Sequence, residues 1–170
     1  MNDIKVSSIL SDGMVIQRGN KTKIYGKSNK SKKVVVKFLN ENYEVIPEED
    51  GTWQVKLNNL EPGGPYEMVI NAEVEIRIKD ILIGDVWLCS GQSNMELPIE
   101  RVMDLYEDEL MESSYNNIRQ FLASKNNNLQ EKQEDLEYGS WKPATKDSIL
   151  EFSAVGYFFA KELYNSCLLY

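Results

Sequence analysis

Along residues 1–80, apolar and polar positions alternate in short runs broken at close intervals by turn-forming residues, a β-strand texture. Strands are predicted at 15–17, 23–25, 33–39, 43–45, 52–57, 66–70 and 74–81. Between them lie clusters at 11–13, 26–31, 49–51 and 61–65, rich in residues that preset a turn or accept a positive φ. In Trp53-Gln54-Val55-Lys56-Leu57 the alternation is strict, so one face is buried and the other meets water. Seven short strands with regular turns predict a β-sandwich-like domain over 1–80.

After Asp80 the pattern changes. Residues 81–83 and 86–89 are nearly continuous apolar runs, which predicts a strand buried on both faces, as in a parallel sheet, ending at Cys89. Ile99, Val102, Met103, Leu105, Tyr106, Leu110 and Met111 keep a helical period, with the acidic Glu107, Asp108, Glu109 and Glu112 turned to solvent. A second strand is expected at 118–123, giving a β-α-β order and a right-handed crossover. Residues 124–140 are polar and read as a long surface loop, closed by 141–145. Ser153 is the expected N-cap of an apolar helix that runs to Tyr164 and packs on the sheet. Two parallel strands are few for an open sheet, so residues 81–170 read as the incomplete start of an α/β domain. Its uncovered edges would be places for self-association.

Composition narrows the function classes. A net charge of −8 and a pI near 4.7 argue against a sequence-independent hold on nucleic acid. The lysine-rich stretch 21–37 reads as the solvent face and tips of strands, where lysines also discourage edge pairing. The two cysteines, Cys89 and Cys167, lie far apart, which signals neither a disulfide framework nor structural zinc. Glu48-Glu49-Asp50-Gly51 reads as a turn and not a calcium loop, and Gly63-Gly64 as a turn and not a phosphate cradle. No apolar stretch approaches the roughly 20 residues of a membrane span, and the first residues carry no signal pattern, so a cytoplasmic, membrane-free protein is expected.

The segment with chemical content is GDVWLCSGQSNMELP, residues 84–98. If a strand ends at Cys89 and the chain turns through 90–92, Ser93 sits past the carboxyl end of that strand, where doubly wound sheets place ligands. Gly91 permits a tight turn, and backbone N–H groups at a helix start can stabilise an oxyanion. Ser93 can equally be a plain helix cap, since Ser and Asn are favoured there. No histidine occurs among the 170 residues. A serine hydroxyl needs a base as it attacks, and the nearby Asp85, Glu96 and Glu100, as ordinary carboxylates, suit that task poorly.

Over a longer span the chain resembles the sialate O-acetylesterase-like carbohydrate esterases of the SGNH hydrolase superfamily. GDVWLCSGQSNMELP looks like their first conserved block, in which Gly-Gln-Ser-Asn-Met carries the nucleophilic serine. SDGMVIQRG, DGTWQVKLNNLEPGGPYEMVI, Trp141-Lys142-Pro143-Ala144-Thr145 and FSAVGYFFAKELY match further segments in order, so that residues 9–165 are covered almost without interruption. The resemblance implies an α+β or α/β chain: a β-sandwich-like domain at 1–80, then at 81–170 the start of a flavodoxin-like three-layer SGNH domain, apparently truncated. It implies that Ser93 is the nucleophile and an oxyanion donor, with Gly91, Gln92 and Asn94 supporting the turn. The family's base, a histidine placed by an aspartate, comes from later blocks that this sequence does not contain.

What the resemblance implies is removal of O-acetyl groups from a sugar such as sialic acid through an acyl-enzyme, with no metal or organic cofactor and little activity from these residues alone. The rival expectation is a non-catalytic protein whose β-domain binds glycan or a partner. A third is that another chain completes the sheet and supplies the base.

Overall fold

The computed structural model describes residues 4–19, 21–29, 33–108, 114–123, 135, 136 and 138–167. The polar loop expected at 124–140 and the last turn of the helix expected at 99–111 fall largely outside them. The chain is mostly β-sheet with few helices.

Eight strands come first: β1 (Lys5–Val6), β2 (Val15–Gln17), β3 (Thr22–Lys27), β4 (Val34–Phe38), β5 (Glu41–Val45), β6 (Thr52–Leu57), β7 (Gly63–Asn71) and β8 (Glu75–Gly84). They form a three-stranded sheet, β1-β3-β6, and a five-stranded sheet, β2-β8-β7-β4-β5. Every pairing is antiparallel except β2 with β8. The expected alternation in β6 is present: Trp53, Val55 and Leu57 are buried while Gln54 and Lys56 are exposed. These side chains join Ile24 of β3 and Val34, Val36, Phe38, Met68, Ile70, Ile78, Ile81 and Ile83 of the other sheet in one buried cluster. Burial of the shared face is what holds the two sheets together. The 61–65 cluster, expected as a turn, is shorter than that: Gly63 and Gly64 already belong to β7, whose ladder with β8 slips between Gly63 and Tyr66 and again before Met68.

A second, smaller core gathers Ile99, Ile118, Ala144, Ile149, Phe152, Ala154 and Tyr157. Here β9 (Ser114–Phe121) and β10 (Trp141–Thr145) form an antiparallel ribbon whose register shifts between Pro143 and Ala144. Proline has no N–H to give the ladder, so a slip beside it is expected. After α1 (Ser93–Glu96) comes the longest helix, α2 (Ala154–Cys167), capped as predicted: Gly156 N–H donates to Ser153 Oγ at 3.1 Å.

Three expectations about this half are corrected. Residues 86–89 form no strand, and Val86, Trp87 and Leu88 are 42%, 60% and 94% exposed. β8 ends at Gly84, and no neighbouring strand among the described residues offers 86–89 a ladder. The expected β-α-β crossover is likewise absent among them, because β9 pairs with β10 and not with the 81–89 segment. In place of a helix from 99, two 3-10 turns follow, Ile99–Arg101 and Met103–Leu105. Only Ile99 is buried in these turns, and a short helix with little apolar face to pack has little to stabilise it.

Two side chains tie the ribbon to the first core, Arg119 most extensively. Arg119 of β9, its side chain only 6% exposed, donates from Nη1 to Gly13 O at 2.7 Å and to Asp80 O at 2.6 Å. Its Nη2 meets the Asp80 carboxylate at 3.0 Å. Trp141 Nε1–H donates to Ile9 O at 2.8 Å from the other strand of the ribbon. Among the described residues, no helix is long and apolar enough to cross a membrane.

Candidate functional site

Residues 85–92 bridge the two cores, and both ends of the bridge are anchored. At the start, Asp85 pairs with Arg18 at 2.8 Å, and Val86 N–H donates to Gln17 Oε1 at 2.8 Å. Along the middle, Trp87 meets Phe159 of α2 edge to face, with ring centres 5.2 Å apart. The Cys89 sulfur lies against Gly156, 3.7 Å from the point a β-carbon there would occupy. Cys89 is therefore an exposed thiol beside a helix, not the end of the buried strand the apolar run predicts.

The chain then turns into α1. Gln92, in extended conformation, occupies the N-cap position and works through its backbone: its carbonyl accepts from Met95 N–H at 3.0 Å and from Glu96 N–H at 3.1 Å. A β-carbon at Gly91 would stand 2.9 Å from Met95 Cβ, closer than real side chains approach, so the return of α1 onto the turn leaves room for hydrogen alone. Ser93 is the first residue of α1 and is exposed, as is Asn94. Their N–H groups find no acceptor among the described residues, as first-turn groups of a helix generally do not. Nor does Ser93 Oγ hydrogen-bond to a base or to any other group among the described residues. The structure thus brings Gly91, Gln92, Ser93 and Asn94 together in one turn, whereas Asp85 is engaged elsewhere, by Arg18.

The far side of α1 is held by residues that motif reading does not reveal. Leu97 O accepts from Ala154 N–H at 2.9 Å, Ile99 N–H donates to Phe152 O at 2.9 Å, and Pro98 bridges to Ser153. Ser153 Oγ donates to Met95 O while accepting from Gly156 N–H, so one hydroxyl caps α2 and grips α1. Ser153 N–H in turn donates to Gln120 Oε1 at 2.9 Å. The one hint of Gln120 in the sequence is its polarity within the apolar run 118–123. A cavity of about 510 Å³ lies on the Gln120 side, lined also by Leu122, Tyr138 and Phe152; Ser93 does not line it. No group of His, Cys, Asp and Glu able to hold a metal ion occurs among the described residues.

Glu48-Glu49-Asp50-Gly51 is the turn the sequence predicts. Asp50 Oδ1 accepts from Thr52 N–H at 2.9 Å and from its hydroxyl at 2.7 Å, and these bonds hold the carboxyl below its ordinary pKa.

No family model matches the chain. Among curated proteins it is similar to the sialate O-acetylesterase of Mus musculus, 30% identical over 71% of this chain and 24% of the mouse protein. It is similar also to that of Homo sapiens, 31% identical over 68% of this chain and 24% of the human protein. The chain thus spans about a quarter of the length of the curated relatives it matches. A solved carbohydrate acetylesterase from Xanthomonas citri superposes with a TM-score of 0.92 at 35% identity, covering 98% of this chain and 38% of the other.

Proposed function

From a chain homologous to the sialate O-acetylesterases and to a carbohydrate acetylesterase over part of their length, we propose the nucleophile-bearing portion of a serine carbohydrate esterase. The observation that carries this reading is the turn 91–96. An exposed serine opens a helix with its hydroxyl and the nearest N–H groups lacking a partner among the described residues, inside a fold shared with an acetylesterase. In this reading the two sheets are a β-sandwich, and residues from about 81 onward begin an SGNH-type α/β domain.

Ser93 Oγ attacks the carbonyl carbon of a sugar O-acetyl group, sialic acid being the substrate the family resemblance favours. The bond to the sugar oxygen breaks, the sugar leaves with a proton, and the acetyl group stays on Ser93 until water releases acetate. The negative charge on the carbonyl oxygen is met by the Ser93 N–H. The serine proton needs a base, and with no histidine among these residues the chain by itself turns over little ester.

Two measurements test this. On p-nitrophenyl acetate, the chain and its Ser93→Ala variant should both run near background; robust Ser93-dependent turnover would refute the claim of low activity alone. A Ser93→Cys variant supplies a nucleophile that ionises without histidine, with a pKa of about 8.5. At pH 9, acetylation at position 93 should outpace that of the exposed Cys89 by about tenfold or more, the worth of one good oxyanion contact or less. Equal rates at the two positions would sink the nucleophile assignment.

A further inference from the structure

Gln120 stands in β9 next to Arg119, and its carboxamide oxygen accepts from Ser153 N–H at 2.9 Å. That N–H belongs to the N-cap of α2, and the local sequence explains why its acceptor comes from another element. A capping serine is matched on both sides when its hydroxyl accepts from the N–H three residues on and the side chain there accepts from the serine's own N–H. The first bond is present, from Gly156 N–H to Ser153 Oγ at 3.1 Å. The second cannot form within α2, because glycine has no side chain. A β-carbon at 156 would already stand 3.4 Å from Ser153 Oγ and 3.7 Å from the Cys89 sulfur, so little room remains for the glutamate or glutamine that usually closes such a cap. Gln120 supplies the missing acceptor across 33 positions of sequence.

Ser153 passes that anchoring on to the Ser93 turn. Its hydroxyl has one proton, and with Gly156 N–H on its oxygen the proton goes to Met95 O of α1. α1 is a single turn with no buried residue, too short to persist by itself, so contacts with neighbouring elements decide where it lies. Met95 follows Ser93 closely, and its β-carbon abuts Gly91 on the other side of the turn, so a shift at Met95 moves the whole of 91–96. Resting on the reading of Ser93 as the nucleophile, we propose that Gln120 is a positioning residue for it, acting through Ser153. Removal of the Gln120 oxygen leaves a part-buried N–H unpaired at the α2 cap, and Ser153 must then turn toward another acceptor or toward water. Either movement loosens the bond to Met95 O, and with it the alignment of the Ser93 N–H to a carbonyl oxygen under attack.

The test uses the Ser93→Cys chain with further substitutions in it. Gln120→Met keeps a side chain of similar length beside the cavity that Gln120 borders and removes the acceptor, whereas Gln120→Glu keeps an acceptor. At pH 9, the reactions of position 93 with p-nitrophenyl acetate and with iodoacetamide are compared by peptide mass spectrometry. Both reagents need the thiolate, but alkylation develops no oxyanion, so the ratio of the two rates reads alignment and not ionisation or folding. Gln120→Met should lower that ratio by about fivefold or more, since a displacement of about 1 Å can cost about 100-fold. Solvent exchange of the Met95 and Glu96 amides, followed by NMR, should quicken by about threefold or more. Gln120→Glu should restore both, and Gly26→Ala, which disturbs the first core, should change neither. A Ser93→Cys chain acetylated at 93 no faster than at Cys89 would sink the esterase reading, while amide exchange still decides the positioning. With that acetylation present, an unchanged ratio in Gln120→Met would overturn the proposal, and so would unchanged exchange or an equal loss in Gln120→Glu.

Discussion

Replacing Arg119 with methionine keeps the apolar body of the side chain and deletes its donors, both those that clamp the ribbon to the first core and the exposed Nε–H bond to Asn116 O within β9, whose loss water largely makes good. Two bonds run from Nη1 to the backbone carbonyls of Gly13 and Asp80, at 2.7 and 2.6 Å, from a side chain only 6% exposed. Hydrogen bonds to charged groups contribute about 1.5–3 kcal/mol each. The Asp80 carboxylate is 58% exposed, and an ion pair with so wet a partner adds only about 0–1 kcal/mol. Water reaching the freed carbonyls recovers part of the loss, so Arg119→Met should cost about 3 kcal/mol. That is a large share of the roughly 5–15 kcal/mol that holds a domain folded.

Urea unfolding reads this directly. With a slope of about 2 kcal/mol per molar, the midpoint should fall by about 1.5 M. Following far-ultraviolet circular dichroism and tryptophan fluorescence together adds a second readout, because Trp141 spans the same junction. If the clamp couples the cores, the two midpoints should separate in the variant. Arg119→Lys should recover less than half the loss, since an ammonium cannot reach three acceptors in a fork. Asp80→Asn, which keeps the backbone at its positive φ of 56°, should cost less than about 1 kcal/mol. An Arg119→Met loss no greater than that of Asp80→Asn would refute the assignment of the clamp to the backbone carbonyls.

Ser153→Ala should cost about 1–2 kcal/mol, through the lost α2 cap and the lost grip on Met95, with Ser153→Thr recovering most of it in a thermal melt. Gly26→Ala places a β-carbon 2.2 Å from Lys5 O and 2.9 Å from the Trp53 ring, so β1 must shift. A cost of about 1–3 kcal/mol is expected, with faster hydrogen exchange at the Val6–Gly26 pairing; unchanged exchange there would contradict the packing. By carboxyl NMR, Asp50 should titrate below its ordinary value of 3.8, because Thr52 bonds favour the ionised form. Its folded-state pKa being depressed, its contribution to stability is present above the unfolded value and lost as pH falls through the folded one. Asp50→Asn should therefore flatten the stability slope below about pH 4.

What the sequence makes legible follows from how local the cause is. β2 and β6 match their expected bounds because alternation and turn residues are local signals. The Ser153 cap is local too, and it appears where the pattern puts it. The 86–89 run has a strand's composition but not its structure, because a strand exists only with a partner to complete its hydrogen bonds, and partnership is not written in the run. Gly63-Gly64 reads as punctuation, yet the β8 ladder draws both residues into β7. Arg119 and Gln120 are invisible as site residues for the same reason: the groups they clamp across the two cores or across to α2, Gly13 O and Asp80 for Arg119 and Ser153 N–H for Gln120, lie 33 or more positions away. Ser93 itself is legible only through a resemblance longer than its own turn.

The placement of Ser93 depends on both cores at once. The segment that carries it leaves the first core at a point fixed by Arg18 and Gln17 and enters the second where 97–99 lock to 152–154. Between those anchors, Trp87 and Cys89 lie along α2 with no ladder of their own. Anchoring at both ends limits where the serine can go, and Gly91 with the Gln92 carbonyl sets how sharply the chain turns to present it. The hydroxyl is then left without a described partner. On the reading proposed above, orientation and oxyanion contact reside in these residues while proton removal does not, which separates the two contributions to acyl transfer. Position 93 should therefore report on oxyanion stabilisation alone, which in a complete site cannot be measured apart from the base.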